Sequence, residues 1–268
     1  MLGFVSQELS VLRSASWIAM RSQFAAVPPW LWAVQVVTMS IAQMTFFVLV
    51  TQLAGNPSVE VQQVALGNAL QAVTFSTVFA ICSIPGNEKH AGTLPLVMTT
   101  PTRVFTVVIG QSLFQILTGI LTVVFSLAFA TLVFGVDLSG INILSAATVI
   151  LLTAFAMSGF GLMLSSFGVY LRSSTLLASL FLYVGLIFCG VNFPVSQLPS
   201  FLQPVSYVLP MTYGVSALKM AVGGSSLLEI VPEIAAMLVI GTVMIAVGYL
   251  MFGKFEKMAR AKGSTEAF

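Results

Sequence analysis

Residues 30–52 read WLWAVQVVTMSIAQMTFFVLVTQ, an interval without a single Asp, Glu, Lys or Arg. It lies inside a longer uncharged run that opens after Arg21 and closes at Glu60. A helix needs about 20 mostly apolar residues to cross a hydrocarbon layer roughly 30 Å thick, because each residue rises about 1.5 Å. Further uncharged runs occupy 61–87, 104–136, 138–171 and 173–218, with a shorter one at 234–253. Each is long enough to span. The chain has 268 residues, 58% of them hydrophobic and 7% charged, with a mean hydropathy of +1.04. A soluble fold of this size would not keep such a surface in water. The sequence predicts an all-α integral membrane protein.

Working outward, residues 3–24 carry Arg13 and Arg21 with Val5, Leu9 and Leu12 at helical spacing. They predict an interfacial amphipathic helix, within an N-terminal segment 1–27. Pro28 and Pro29 suit a first helical turn, and Trp17, Trp30 and Trp32 gather where aromatic rings settle at headgroup level. Six membrane helices are expected in segment 30–252, at about 30–52, 62–85, 104–134, 141–168, 173–192 and 230–252. The second should end at Pro85-Gly86, and the turn 135–140 should join the third to the fourth. Residues 193–230 carry Pro194, Pro199, Pro204 and Pro210, each lacking a donor. They predict two short helices, 197–206 and 209–222, dipping into one interface. Ser226 and Glu229 have capping-box spacing before the last span, and 253–268 is a tail.

An even number of spans puts both termini on one side. That side collects nine basic residues: Arg13, Arg21, Lys89, Arg103, Arg172, Lys254, Lys257, Arg260 and Lys262. The other side has Lys219 alone, with Glu60, Asp137, Glu229 and Glu233. The positive-inside bias then makes the termini and the 87–103 loop cytoplasmic. Glu8 and the length of the first apolar run argue against a cleavable signal peptide. Lipidation motifs and N-glycosylation sequons are not found, and Pro57 disqualifies Asn56. No basic cluster interleaves with aromatics, so nucleic-acid binding is not expected. Cys82 and Cys189, near opposite faces, are expected to be free and buried.

The chemistry-bearing residues do not assemble into a catalytic set. His90 is the single histidine, which rules out an H-E-x-x-H zinc site. Gly248–Lys254 imitates the start of a P-loop, but Phe255 replaces the Ser or Thr such a loop requires. No nucleotide site is expected on this chain. The 87–103 segment is the densest charge cluster between spans. Asn87 can cap a short helix and Glu88 favours its positive end; Gly92 interrupts it, and Thr93 can cap a second one ending before Pro101. Such a short rod could transmit force from a docked soluble protein; an ordinary amphipathic loop is the alternative reading.

The stretch 88–101, EKHAGTLPLVMTTP, resembles the E-x-x-x-G-T-L…T-P loop of ABC-2 type ABC-transporter permeases. The stretch 193–213, FPVSQLPSFLQPVSYVLPMTY, is similar to that family's second hallmark, about a hundred residues later. The resemblance covers almost the whole chain and implies a type V-like exporter, similar to the drug and antibiotic exporters. It implies that Asn87, Glu88, Lys89, His90, Ala91, Gly92, Thr93 and Leu94 belong to a cytoplasmic coupling helix region. This region, 87–100, would sit in a cleft of a separate ATPase subunit. It also implies that 195–222 are extracellular re-entrant helices between spans 5 and 6. The working transporter would then hold two permeases and two ATPases, with ATP and Mg on the ATPases and no cofactor on this chain. The second permease could be a copy or a paralogue. His90 and Ala91 stand where the family often has more charge.

In span 2, Asn68, Gln71, Phe75, Phe79 and Cys82 recur at spacings of three and four; in span 5, Ser179, Tyr183, Leu186 and Gly190 do the same. Uncharged polar groups in hydrocarbon need partners or water, so such stripes face either protein or a cavity. The resemblance favours a substrate path there. No ionisable residue lies deep in a span, which argues against an ion-coupled carrier and for an amphiphilic or apolar substrate. The expectation is a non-enzymatic membrane subunit of an ATP-driven exporter of a small amphiphile such as a drug or natural-product antibiotic. Peptide or lipid-linked glycan export and an ATP-independent carrier are the alternatives.

Overall fold

The computed structural model describes residues 2–55, 60–99, 103–170 and 175–262, and every regular element among them is helical. Helix α1, Leu2–Ala26, is followed by α2, Pro29–Ala54, with Pro29 in its first turn. Next comes α3, Val61–His90, which contains one π turn at Phe75–Phe79. After it come a short α4, Leu94–Thr99, and the long α5, Val104–Phe134. Then follow α6, Ile143–Tyr170, and α7, Thr175–Phe188. Two short helices, α8, Gln203–Val208, and α9, Pro210–Val222, precede α10, Val231–Lys262.

Five of these helices are long and apolar enough to cross a membrane: α2, α3, α5, α6 and α10. Helix α7 is shorter, with 14 residues. The sequence predicted it through 192, but Gly190 turns the backbone at φ +69°, a conformation that favours glycine. Residues 171–174, with Arg172, lie outside the described residues, as do 56–59, 100–102 and 263–268.

Helices α3 and α6 form the centre. Of the most hydrophobic window of α3, 78% is buried, against 11% for α2. Helices α6 and α10 pack closely because small residues face each other. A Cβ on Gly159 would lie 2.7 Å from the Gly241 carbonyl oxygen, and one on Gly248 3.1 Å from the Met163 nitrogen. Gly248 is thus inside a packed helix, in keeping with dismissal of the P-loop reading. Helix α1 lies against α5, where a Cβ on Gly110 would stand 2.9 Å from the Leu12 carbonyl oxygen.

Several boundaries need correction, beginning with the short helix expected at 197–206, which is Gln203–Val208 because Pro199 and Pro204 leave helical backbone only from Gln203 on. Span 2 does not stop at Pro85-Gly86; it continues to His90. Pro85 is buried among neighbouring helices, which hold the segment helical although one ladder bond is lost. The last helix runs on to Lys262 instead of stopping near 252, since Lys, Glu, Met and Ala after Gly253 are good helix formers. Ser226 and Glu229 do not cap it; the Glu229 amide donates to the Ser226 carbonyl (3.1 Å) in a turn, and α10 begins after Ile230. An unpredicted cap occurs at α6, where Asn142 Oδ1 accepts from the Ser145 amide at 3.2 Å.

The charges separate by end. Arg103, Lys254, Glu256 and Lys257 line one cleft at what we call the basic end. Glu60 faces Lys219 at the opposite end, where Gln62 Nε2 also reaches the Asp137 carbonyl oxygen (3.5 Å). An Asp137 carboxylate oxygen accepts from the Ser139 amide at 2.8 Å, which holds its carboxyl below the usual range.

Candidate functional site

At the basic end, α3 leaves the bundle and turns back within a few residues. The amide of Ala91 donates to the Asn87 carbonyl (2.9 Å) and that of Gly92 to the Lys89 carbonyl (3.0 Å). Gly92 then adopts φ +69°, reversing the chain into α4. Asn87 therefore does not cap a new helix, and Glu88 does not sit at a helix start; both occupy the last turn of α3. The physical reason is the continuation through Pro85 and Gly86, which moves the break on to Gly92, where the positive φ is open to a residue without a Cβ.

Glu88 anchors this turn. One carboxylate oxygen accepts from Gln111 Nε2 of α5 at 2.8 Å, and the other accepts from the Thr93 hydroxyl. The Thr93 carbonyl accepts from the Val97 amide (3.0 Å), so Thr93 opens α4 by its backbone while its side chain reaches back to Glu88. Leu94 is buried in an apolar cluster with Ile81, Val104, Leu162 and Phe252. The set divides into an anchored face, Glu88, Thr93 and Leu94, and an open one. On the open face Asn87, His90, Ala91 and Gly92 are exposed, while Lys89 is half-buried. Leu96 joins the open face at 66% exposure. Nearby, the Arg103 guanidinium donates to the Tyr249 hydroxyl and lies 5.5 Å from that ring, tying α5 to α10.

The predicted stripe on α3 splits in two. Asn68 and Gln71 are buried. Asn68 Nδ2 donates to the Val64 carbonyl (2.9 Å) and to Asn192 Oδ1 (2.8 Å), while its Oδ1 accepts from Gln43 Nε2 (3.3 Å). Asn192 Nδ2 in turn donates to the Leu186 carbonyl (3.2 Å), satisfying an orphan acceptor at the end of α7. Gln71 lies against Gly185, beside a void of ≈ 10 Å³ bounded also by Thr74, Phe160, Phe181 and Met211. Such a space takes about one water molecule. Within this chain the α3–α7 contact at Gln71 and Gly185 is therefore closed.

Past Thr74 the helix widens into the π turn, whose extra residue rotates all that follows by roughly 100°. Phe75 and Phe79 stack in parallel, 5.4 Å between centroids, and leave the packed face for an open cleft of ≈ 620 Å³. Cys82 returns to the core. On α7, Tyr183 is exposed, Ser179 and Leu186 are half-buried, and Gly190 is buried at the bend. Cys82 and Cys189 are both buried and neither forms a disulfide. Sequence reasoning missed Gln43, Gln111 and Asn192. Their one visible signal was an amide amid apolar residues, which names no partner.

These features define a multi-pass helical membrane protein whose longest central helix carries a folded-back turn at its basic end. Residues 11–222 match the ABC-2 type transporter family, and the chain belongs to it. The match takes in both stretches on which the resemblance rested. No curated protein matches the chain. Membership supports the permease component of an ABC transporter and an ATPase as the kind of partner.

Proposed function

We propose that this chain is the membrane subunit of an ATP-driven exporter of amphiphilic small molecules. A separate ATPase would bind ATP and Mg and dock on the open face of the 87–99 turn. The basic end would face the cytoplasm, following the positive-inside bias. A second permease, identical or paralogous, would complete the pathway along the exposed face of α7 that carries Tyr183. This chain itself would catalyse no reaction.

The observation that carries the reading is the construction of the turn. It is exposed where a partner could press, and it is fastened by Glu88 and Leu94 to helices that run through the bundle. Closure of the ATPases would displace the turn and, through α3, bias the bundle between inward and outward arrangements.

Glu88→Lys combined with Gly92→Pro tests it. Proline cannot adopt φ +69° and lacks the amide that Gly92 donates to Lys89. ATP-dependent uptake of a fluorescent amphiphile into inside-out vesicles should fall at least about tenfold. Normal uptake by a variant that still copurifies with its ATPase would refute the assignment.

A further inference from the structure

The cleft of ≈ 620 Å³ into which Phe75 and Phe79 open is walled by α1, α2, the inner half of α3, and α5. Its volume falls in the range of about 300–1,000 Å³ common for small-molecule sites. It lies away from the closed α3–α7 contact. Its polar wall is neutral: Ser22 of α1, Gln35 of α2, and Gln115 and Thr118 of α5. Its aromatic surfaces are the stacked Phe75–Phe79 pair and Trp32. The Trp32 ring is held in place by Phe24 (5.8 Å, edge-on) and Phe114 (6.4 Å). Among the described residues Glu88 is the one charged side chain lining the space.

We infer that this cleft binds a lipophilic cation, with Glu88 as its counter-charge and Phe75, Phe79 and Trp32 receiving its apolar body. A carboxylate offers about four acceptor positions. Gln111 and Thr93 each use one. A cation gains from that half-buried charge and from ring faces within reach, both worth more where water is excluded. An anion would meet the same carboxylate with no basic wall residue to offset it. The inference deepens the exporter reading by assigning a charge to its amphiphile. It also makes Glu88 common to the ligand site and to the anchored turn, so an occupant contacts the group that fastens that turn.

The test uses the full chain in phosphatidylcholine nanodiscs without ATPase or nucleotide, so it stands apart from transport. Ser22→Cys is alkylated with a maleimide in the presence of tetraphenylphosphonium or of tetraphenylborate, a near-isosteric anion. Leu228→Cys, exposed outside the cleft, serves as reference. Relative to that reference, the cation should slow alkylation of Cys at position 22 about tenfold and the anion less than about twofold. Glu88→Gln and Phe75→Ala should each remove most of the protection. Gln115→Lys, which leaves the turn's anchors in place, should reverse the preference towards the borate. Equal protection by both ions, protection of both cysteines alike, full protection in Glu88→Gln, or none in the parent would each overturn the site. A chain that shows the cation preference yet never couples to an ATPase would keep the site and defeat the exporter reading.

Discussion

The two halves of α3 belong to one helix but meet different surroundings. From Val64 to Thr74 every residue is buried, and Asn68 is held by the amides of Gln43 on α2 and Asn192 in the 189–194 bend. From Phe75 to His90 one flank opens into a cleft, and the last turn is exposed at Asn87 and His90 while Glu88 stays bonded to α5. The difference shows that a polar residue in a membrane helix can serve as a fastener or as a wall. Which it becomes depends on the neighbour across from it, not on its own type.

The sharpest way to break this comparison is Gly67→Val. A Cβ there would lie 2.3 Å from the Val191 carbonyl oxygen, a collision with backbone that no rotamer relieves. A loss above about 3 kcal/mol is expected, read as poor recovery of monodisperse protein and a large drop in thermal midpoint in detergent. A normal midpoint would mean that the bend does not press on α3.

Next in size is the contrast between Asn68→Leu and Phe75→Ala. The first strands Asn192 and Gln43 and should cost about 1–3 kcal/mol. The second removes a ring that is already 37% exposed and should cost under about 1 kcal/mol. Equal losses in a melting assay would erase the distinction between the halves.

The smallest expected effect concerns Lys219 on α9, at the acidic end. Burial lowers its pKa from 10.5 to about 8, with Glu60 acting weakly in the other direction. Between those values the unfolded chain binds the extra proton, so folding stability should rise as pH increases from about 8 to 10.5. Below that window the full cost of the buried charge is present. Lys219→Met should flatten the rise in a pH series of thermal midpoints; an unchanged slope would place Lys219 in water.

Much of the architecture was readable from charge spacing alone. The third span was expected at 104–134 and is Val104–Phe134, because Arg103 and Asp137 bracket it and Gly135 closes it. The short helices after Pro194 were also foreseen in kind, since four prolines leave few alternatives. What escaped reading depends on contacts distant in sequence. Asn192 meets Asn68 across 124 residues, and nothing local to either announces the pair. The stripe on α3 assumed an unbroken period of 3.6, and the π turn at Phe75–Phe79 shifts the phase midway. Pro85 was taken as a stop because local propensity, without its buried surroundings, says so. At the turn, Gly92 reads in the sequence as an interruption and Thr93 as the start of a second short helix, while Gln111 requires knowing that α5 passes alongside.

Pro85 lies within a helix that continues to His90, so no flexible joint stands between the folded-back turn and the stacked phenylalanines. Under the exporter reading, the segment from Phe79 to His90 would serve as a crankshaft: a push at the turn would arrive at the rings as torque, and the widened turn there would be the first bearing along its length to absorb it.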